Sequence, residues 1–265
     1  MGTLYRAIAS ADKARSRSHM GGTCAAFMLL AVVMSSAAQT VDTNRPGFSF
    51  TPGTAPAGRW QLETGIAHDR TDSDASSTTA PIAELRYGVS DRAEVFVSGL
   101  SWTSVDAPGG NVDGLADVTF GTKFALPSGG AWATALLLQV TAPLGDDEIT
   151  SDSWDPSAAF VWTHSGALAL AGTVKVSDFD GQLQVDNSLK LPLSLGGPHS
   201  MFFEWEANLP EGGDDAHWLN GGYQFLASER VQFDINFGVG LNDAAGDYRV
   251  CLLYTSDAAD DSVLV

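Results

Sequence analysis

From residue 59 onward the chain breaks into runs in which apolar and polar side chains alternate, and Gly, Pro, Asp and Ser separate the runs. The clearest run is 231–241. Val231, Phe233, Ile235, Phe237, Val239 and Leu241 share one face, while Gln232, Asp234, Asn236, Gly238 and Gly240 share the other, as period-two strand geometry requires. The same pattern predicts strands over 59–68, 81–89, 92–100, 114–126, 131–142, 156–163, 166–177, 182–195, 200–209 and 216–226, which with 231–241 makes eleven. Most approach the roughly 9–11 residues that a tilted strand needs to cross a bilayer, whereas soluble strands run about 5–6.

The links between these runs alternate in size. Those at 90–91, 127–130, 164–165, 196–199 and 227–230 are tight, while 69–80, 101–113, 143–155, 210–215 and 242–247 are longer, with 178–181 the short exception. Short turns at one end and long loops at the other are how outer-membrane barrels are built, which predicts a periplasmic amino-terminus. No stretch approaches the roughly 18 apolar residues of a transmembrane helix. The expected fold is therefore all-β, an antiparallel up-and-down transmembrane β-barrel. Bacterial single-chain barrels have an even strand count, so a twelfth strand is expected from about residue 247, truncated where the sequence changes character near 250.

Cost fixes which face meets lipid, because Arg or Lys there at mid-depth costs roughly 2–4 kcal/mol each. Turning Arg86, Lys123, Lys175 and Lys190 inward also turns Glu84, Glu94, Asp117, Asp186, Glu204, Glu206 and Asp234 inward. It sends Leu85, Tyr87, Val95, Val118, Phe120, Phe124, Leu136, Leu138, Val174, Leu189, Met201, Phe203, Trp205, Tyr223 and Phe225 outward; a slip of one residue would invert all of them. The lumen so defined carries both signs of charge. Internal ion pairs that only brace the wall are the favoured explanation, since paired charges in a small barrel need no solute. Trp60, Tyr87, Trp132, Trp162 and Trp205 near strand ends suit interfacial girdles, with ordinary packing as the competing explanation.

The ends read differently. Lys13, Arg15 and Arg17 precede the apolar run 24–34 and the small residues Ser35-Ser36-Ala37-Ala38, the layout of a cleaved signal peptide over 1–38, with Met20 as a second candidate start. Residues 251–265 resemble translated adapter read-through and are expected to be non-native, leaving 59–250 as the barrel. Cys24 and Cys251 both fall outside that body, so no disulfide framework is expected. A formal net charge of -18 excludes a nucleic-acid partner, since phosphate binding needs clustered cations.

Few constellations suggest chemistry. Asp146-Asp147-Glu148 with Asp152 and Asp155 could bring divalent cations to an acidic loop, but their spacing matches no calcium loop and a solvated acidic face is the favoured explanation. His68, His164 and His217 fall at strand ends without a nucleophile motif, so no enzyme, catalytic residue, resident metal or cofactor is expected. The segment 39–58 carries Pro46, Pro52 and Pro56 and cannot pair as a central strand. It is either a flexible lead-in or a plug at the periplasmic mouth, with Arg45, Pro46 and Phe48 as the plug residues and Arg45 meeting lumen carboxylates.

Several stretches together carry a family resemblance: Asn44-Arg45-Pro46-Gly47-Phe48-Ser49, Gly58-Arg59-Trp60-Gln61-Leu62-Glu63-Thr64-Gly65, Leu85-Arg86-Tyr87-Gly88-Val89-Ser90-Asp91-Arg92-Ala93-Glu94, Gly114-Leu115-Ala116-Asp117-Val118-Thr119-Phe120-Gly121, and Asp234-Ile235-Asn236-Phe237-Gly238-Val239-Gly240. Over roughly 43–248 the chain resembles the outer-membrane family named Putative MetA-pathway of phenol degradation. The resemblance implies a transporter-like barrel with a loose link to aromatic breakdown, and no catalytic residues. Three readings follow. The first is a passive channel for a small, aromatic or otherwise hydrophobic solute, with outer-membrane lipid as its surroundings. The second is a closed structural or adhesion barrel with acidic loops, and the third a soluble periplasmic binder with its apolar face inward.

Overall fold

The computed structural model describes residues 41–44, 47–72, 74–179 and 181–257. The expected leader, Arg45, Pro46 and the end of the tail lie outside the described residues. The elements are strands throughout: β1 Trp60–Asp72, β2 Ala75–Ser90, β3 Ala93–Ser98, β4 Trp102–Ala107, β5 Gly110–Leu115, β6 Val118–Ala125, β7 Trp132–Ala142, β8 Asp155–Ser165, β9 Ala169–Phe179, β10 Gln182–Gly196, β11 His199–Pro210, β12 Ala216–Ser228, β13 Val231–Gly240 and β14 Tyr248–Asp257. Each barrel strand pairs antiparallel with its neighbours, in the order β1-β14-β13-β12-β11-β10-β9-β8-β7-β6-β3-β2, and β2 pairs back onto β1. Twelve strands thus close a cylinder, which is how a sheet satisfies every backbone donor and acceptor where lipid offers none.

The remaining two strands, β4 and β5, form a hairpin on the long-loop side. Ser76–Thr79 in the upper half of β2 pair with Asp106–Thr103 of β4, so β4 carries on the ladder that β3 begins on the lower half. The residues 101–113 expected as a loop therefore hold strand, and the strand expected over 114–126 is interrupted between Leu115 and Val118. The break has a local cause at Gly99, whose φ of +92° favours glycine and whose absent side chain would strike the Asp117 carbonyl. Thr103 and Val105 are buried, an alternation hidden by the Asp, Gly and Pro that surround it in sequence. The link expected over 69–80 is also short, because β1 and β2 pair out to Asp72 and Ala75.

The last strand does not stop near residue 250. Tyr248–Asp257 pairs with β13 on one side and β1 on the other, with Leu252 exposed outward and Leu253, Thr255 and Asp257 buried inward. The alternation of 251–257 suits the seam and closes it.

The outer face is apolar over a continuous belt, with Phe233 48%, Ile235 46% and Phe237 51% exposed. Of the fifteen side chains expected outward, Tyr87 and Met201 are half-covered and Val118 is buried; the other twelve are exposed. Val118 lies at the interrupted start of β6, against the backbone of Gly99. Rings cluster on this belt near the short-turn rim, where Trp60 lies 4.7 Å from Tyr87 and Trp132 5.8 Å from Trp162. Trp205 stacks on His217 toward the opposite rim. An apolar exterior around a polar interior overturns the soluble-binder reading, which needs the reverse.

Candidate functional site

The interior is built from the other half of each alternation. Glu84, Arg86, Glu94, Lys123, Asp186, Glu204, Glu206 and Asp234 are all buried inside the cylinder, as their parity requires. Lys175 and Lys190 are largely buried, with side chains 20% and 12% exposed.

The segment 41–57 does not extend away from this lumen. Val41, Thr43, Asn44, Ser49 and Ala55 are buried, and their backbone is held by wall side chains. Asn44 N–H donates to Glu63 Oε1 (2.8 Å), and its side-chain amide donates to Glu84 Oε1 (2.7 Å). Glu204 accepts from the N–H groups of both Phe48 and Ser49 at 2.7 Å, and Ala55 N–H donates to Glu94 Oε2 at 2.6 Å. Prolines and a tight turn leave these N–H groups without a sheet partner, and lumen carboxylates replace it. Gly47, with φ +95°, makes the turn where a side chain would run into the Glu204 carboxylate.

Beneath that turn lies a fully buried ion network. Arg86 pairs with Glu63 (3.0 Å) and Glu94 (2.8 Å), and it donates to the Asp42 carbonyl. Lys123 meets Glu94 at 3.2 Å and donates to Asn44 Oδ1 at 2.7 Å and to the Thr51 carbonyl at 3.1 Å. Charges so deeply buried persist because each has a partner, and here the lead-in backbone supplies part of the partnership. Three further cations are part-exposed. Lys175 meets Asp186 at 2.9 Å and lies over the Phe48 ring at 5.3 Å, Lys190 meets Glu204 at 3.7 Å and donates to the Ser49 carbonyl, and Arg249 pairs with Glu206 beside Trp218. Asp234 Oδ1 accepts from Gln232, while its Oδ2 has no hydrogen-bond partner among the described residues.

Asp117 has a different place from that expected. It sits at the long-loop rim rather than in this network, accepting hydrogen bonds from Gly145 N–H, Thr150 Oγ1, Ser151 N–H and Ser151 Oγ at 2.7–3.0 Å. Burial alone would raise its carboxyl pKa, but these donors outweigh burial and hold it below the usual carboxylate range. The acidic loop it anchors uses Asp146 Oδ2 to accept from Leu115 N–H and Asp155 Oδ1 to accept from Ser153 Oγ. Among the described residues no three His, Cys, Asp or Glu side chains are placed to hold a metal ion.

Period-two parity located the charged wall but not its partners. Asp42 and Asn44 lie in a segment without strand periodicity, Glu63 is a lone acid in an uncharged run, and Arg249 falls where the last strand was expected to break off. The parity of β1 was the one usable signal, since it sends Gln61 and Glu63 to the same side as Arg86.

Between the segment and the wall lies a recess of about 200 Å³, lined by Asn44, Gly47, Phe48 and Phe50 from the segment and by Glu84, Phe96, Ser98, Thr119, Gln139 and Lys175 from the wall.

A closed twelve-stranded cylinder, apolar outside and ionic within, is a barrel of the bacterial outer-membrane class. The family model named Putative MetA-pathway of phenol degradation matches residues 43–250, and the chain belongs to that family. Its fold is similar to that of an outer membrane channel from Pseudomonas putida F1, with a TM-score of 0.59 and 16% identity over 78% of this chain and 97% of that one. It is also similar to the β domain of the Bordetella autotransporter BrkA, with a TM-score of 0.51 and 12% identity over 76% of this chain and 99% of that one. At these identities the likeness is one of fold. No curated protein sequence matches the chain significantly.

Proposed function

We propose that this protein is a passive outer-membrane channel for small solutes, exported by its leader, with the segment 41–57 acting as a plug that narrows the path. The observation that carries the reading is the enclosed interior lined with ion pairs and hydrogen-bonding side chains, which costs far more to bury than an apolar filling and is what a water-filled path requires. The family's name links it to phenol degradation, which supports a small aromatic or otherwise hydrophobic solute. The alternating turn lengths support a plug lying toward the periplasmic side. Catalysis forms no part of the proposal.

The occupied lumen favours a second reading, a closed structural barrel whose acidic loops meet a surface partner through divalent cations. Liposome swelling separates the two. Purified, folded protein should admit solutes of graded small size with a sharp cut-off. Liposomes that stay impermeable to every solute, while calcium-dependent surface binding persists, would support the closed barrel instead.

A further inference from the structure

Much of the lumen wall is polar, so an apolar cluster on it needs a reason. Phe96, Leu137 and Ala159 project inward from β3, β7 and β8 and form a buried cluster, against which Phe50 of the lead-in packs. Seating the plug would account for that contact alone. Past that contact, however, lies the recess of about 200 Å³, where the rings of Phe48, Phe50 and Phe96 share a mixed lining with Glu84, Gln139 and Lys175. Wall and lead-in each supply part of that lining.

From this geometry we infer that the plug and the wall jointly form a binding site for a neutral, single-ring aromatic solute bearing one hydrogen-bond donor. Size sets the first limit, because pockets for drug-sized ligands occupy about 300–1,000 Å³ and this recess is smaller. Three phenyl rings around one space offer edge and face contacts that an aromatic ring fills better than a chain or a saturated ring does. Polarity sets the second limit. Glu84 is an acceptor at the recess edge, and Gln139 adds an amide. The Lys175 ammonium is already held by Asp186 at 2.9 Å and by the Phe48 ring, so it does not call for an anionic ligand. A solute donating to Glu84 is matched, whereas a carboxylate beside Glu84 is repelled. On this view the lead-in is half of the selectivity site as well as an obstruction.

The inference rests on the channel reading, and calorimetric titration of refolded protein in detergent micelles tests it separately, with protein-free micelles as the blank. The probes are benzyl alcohol, cyclohexylmethanol and benzoate. Saturable one-to-one binding of benzyl alcohol is expected, with the other two much weaker. Phe48→Ala should weaken benzyl alcohol binding about tenfold through loss of one ring contact. Because Phe48 is anchored by its backbone N–H and only half-buried, this variant keeps the fold; Phe96→Ala provides the matching wall variant. Equal binding of the three probes, no saturable binding, or unchanged affinity in Phe48→Ala would overturn the site. Solute flux without benzyl alcohol binding would defeat this inference alone, and binding without flux would defeat the channel reading alone.

Discussion

Two regions of the lumen handle charge in opposite ways. Around Arg86, Glu63, Glu94 and Lys123 the side chains are completely buried and each ion has a partner within 3.2 Å. Around Lys175, Lys190 and Arg249 the cations remain 12–21% exposed. The lead-in backbone accepts from both Arg86 and Lys123 in the first set, whereas in the second it reaches only Lys190, through the Ser49 carbonyl, and leaves that cation part-exposed. Equal numbers of ion pairs can therefore serve unlike regions: the covered set fixes the segment in place, and the open set leaves part-exposed cations facing the lumen.

Substitutions sharpen this contrast, beginning with the largest expected effect. Arg86→Ala leaves Glu63 and Glu94 buried without their main partner and should destabilise the barrel by about 3–5 kcal/mol, read from the denaturant midpoint in detergent. An undisturbed midpoint would break the claim that the covered set holds the structure. Ile235→Arg places a charge in the outward belt and should cost about 2–4 kcal/mol in the same assay. A neutral result would mean that this face does not meet hydrocarbon.

Glu204→Gln removes the charge that accepts from Phe48 and Ser49 N–H. It should weaken that hold by about 1.5–3 kcal/mol, the worth of hydrogen bonds to an ionised group, with little effect on the barrel itself. Faster protease cleavage within 41–57 is the readout. Lys175→Met should destabilise the barrel less than Arg86→Ala, because Asp186, although buried, keeps hydrogen bonds from Gln184 and Asn208 when its cation is lost.

The smallest effect belongs to the rim. Asp117 has its pKa depressed by its four donors, so its contribution is fully present above the ordinary carboxylate pKa and is lost only as pH falls through the lower, folded value. The loop 143–155 should stay anchored at neutral pH and loosen only below the usual carboxylate range. Asp117→Asn should loosen it already at neutral pH, read as labelling of a cysteine placed at Ser153. Identical labelling in both proteins at neutral pH would remove Asp117 as the anchor.

How far the sequence reveals this molecule follows from the same contrast. Strand parity is a local signal with strong energetic backing, so Arg86, Lys123, Glu204 and the outward Phe233, Ile235 and Phe237 could all be placed from their spacing. Hairpin extensions were less legible. The turn chemistry at Pro108-Gly109 and Gly99 masks the short alternation of 102–107, and Ser73-Asp74 reads like a loop although the strands pair up to it. Least legible was the fit of the lead-in. A segment without period gives no register, and its partners, Glu63, Glu84, Glu94 and Glu204, lie 19 to 156 residues away along the chain. Such contacts arise only once the cylinder has closed around them.

Single-channel recording in planar bilayers, comparing the full protein with a variant lacking residues 44–48, tests the central claim most directly. The account predicts small, resolvable conductance steps from the full protein and distinctly larger ones from the variant. Folded protein that gives no steps in either form would contradict it.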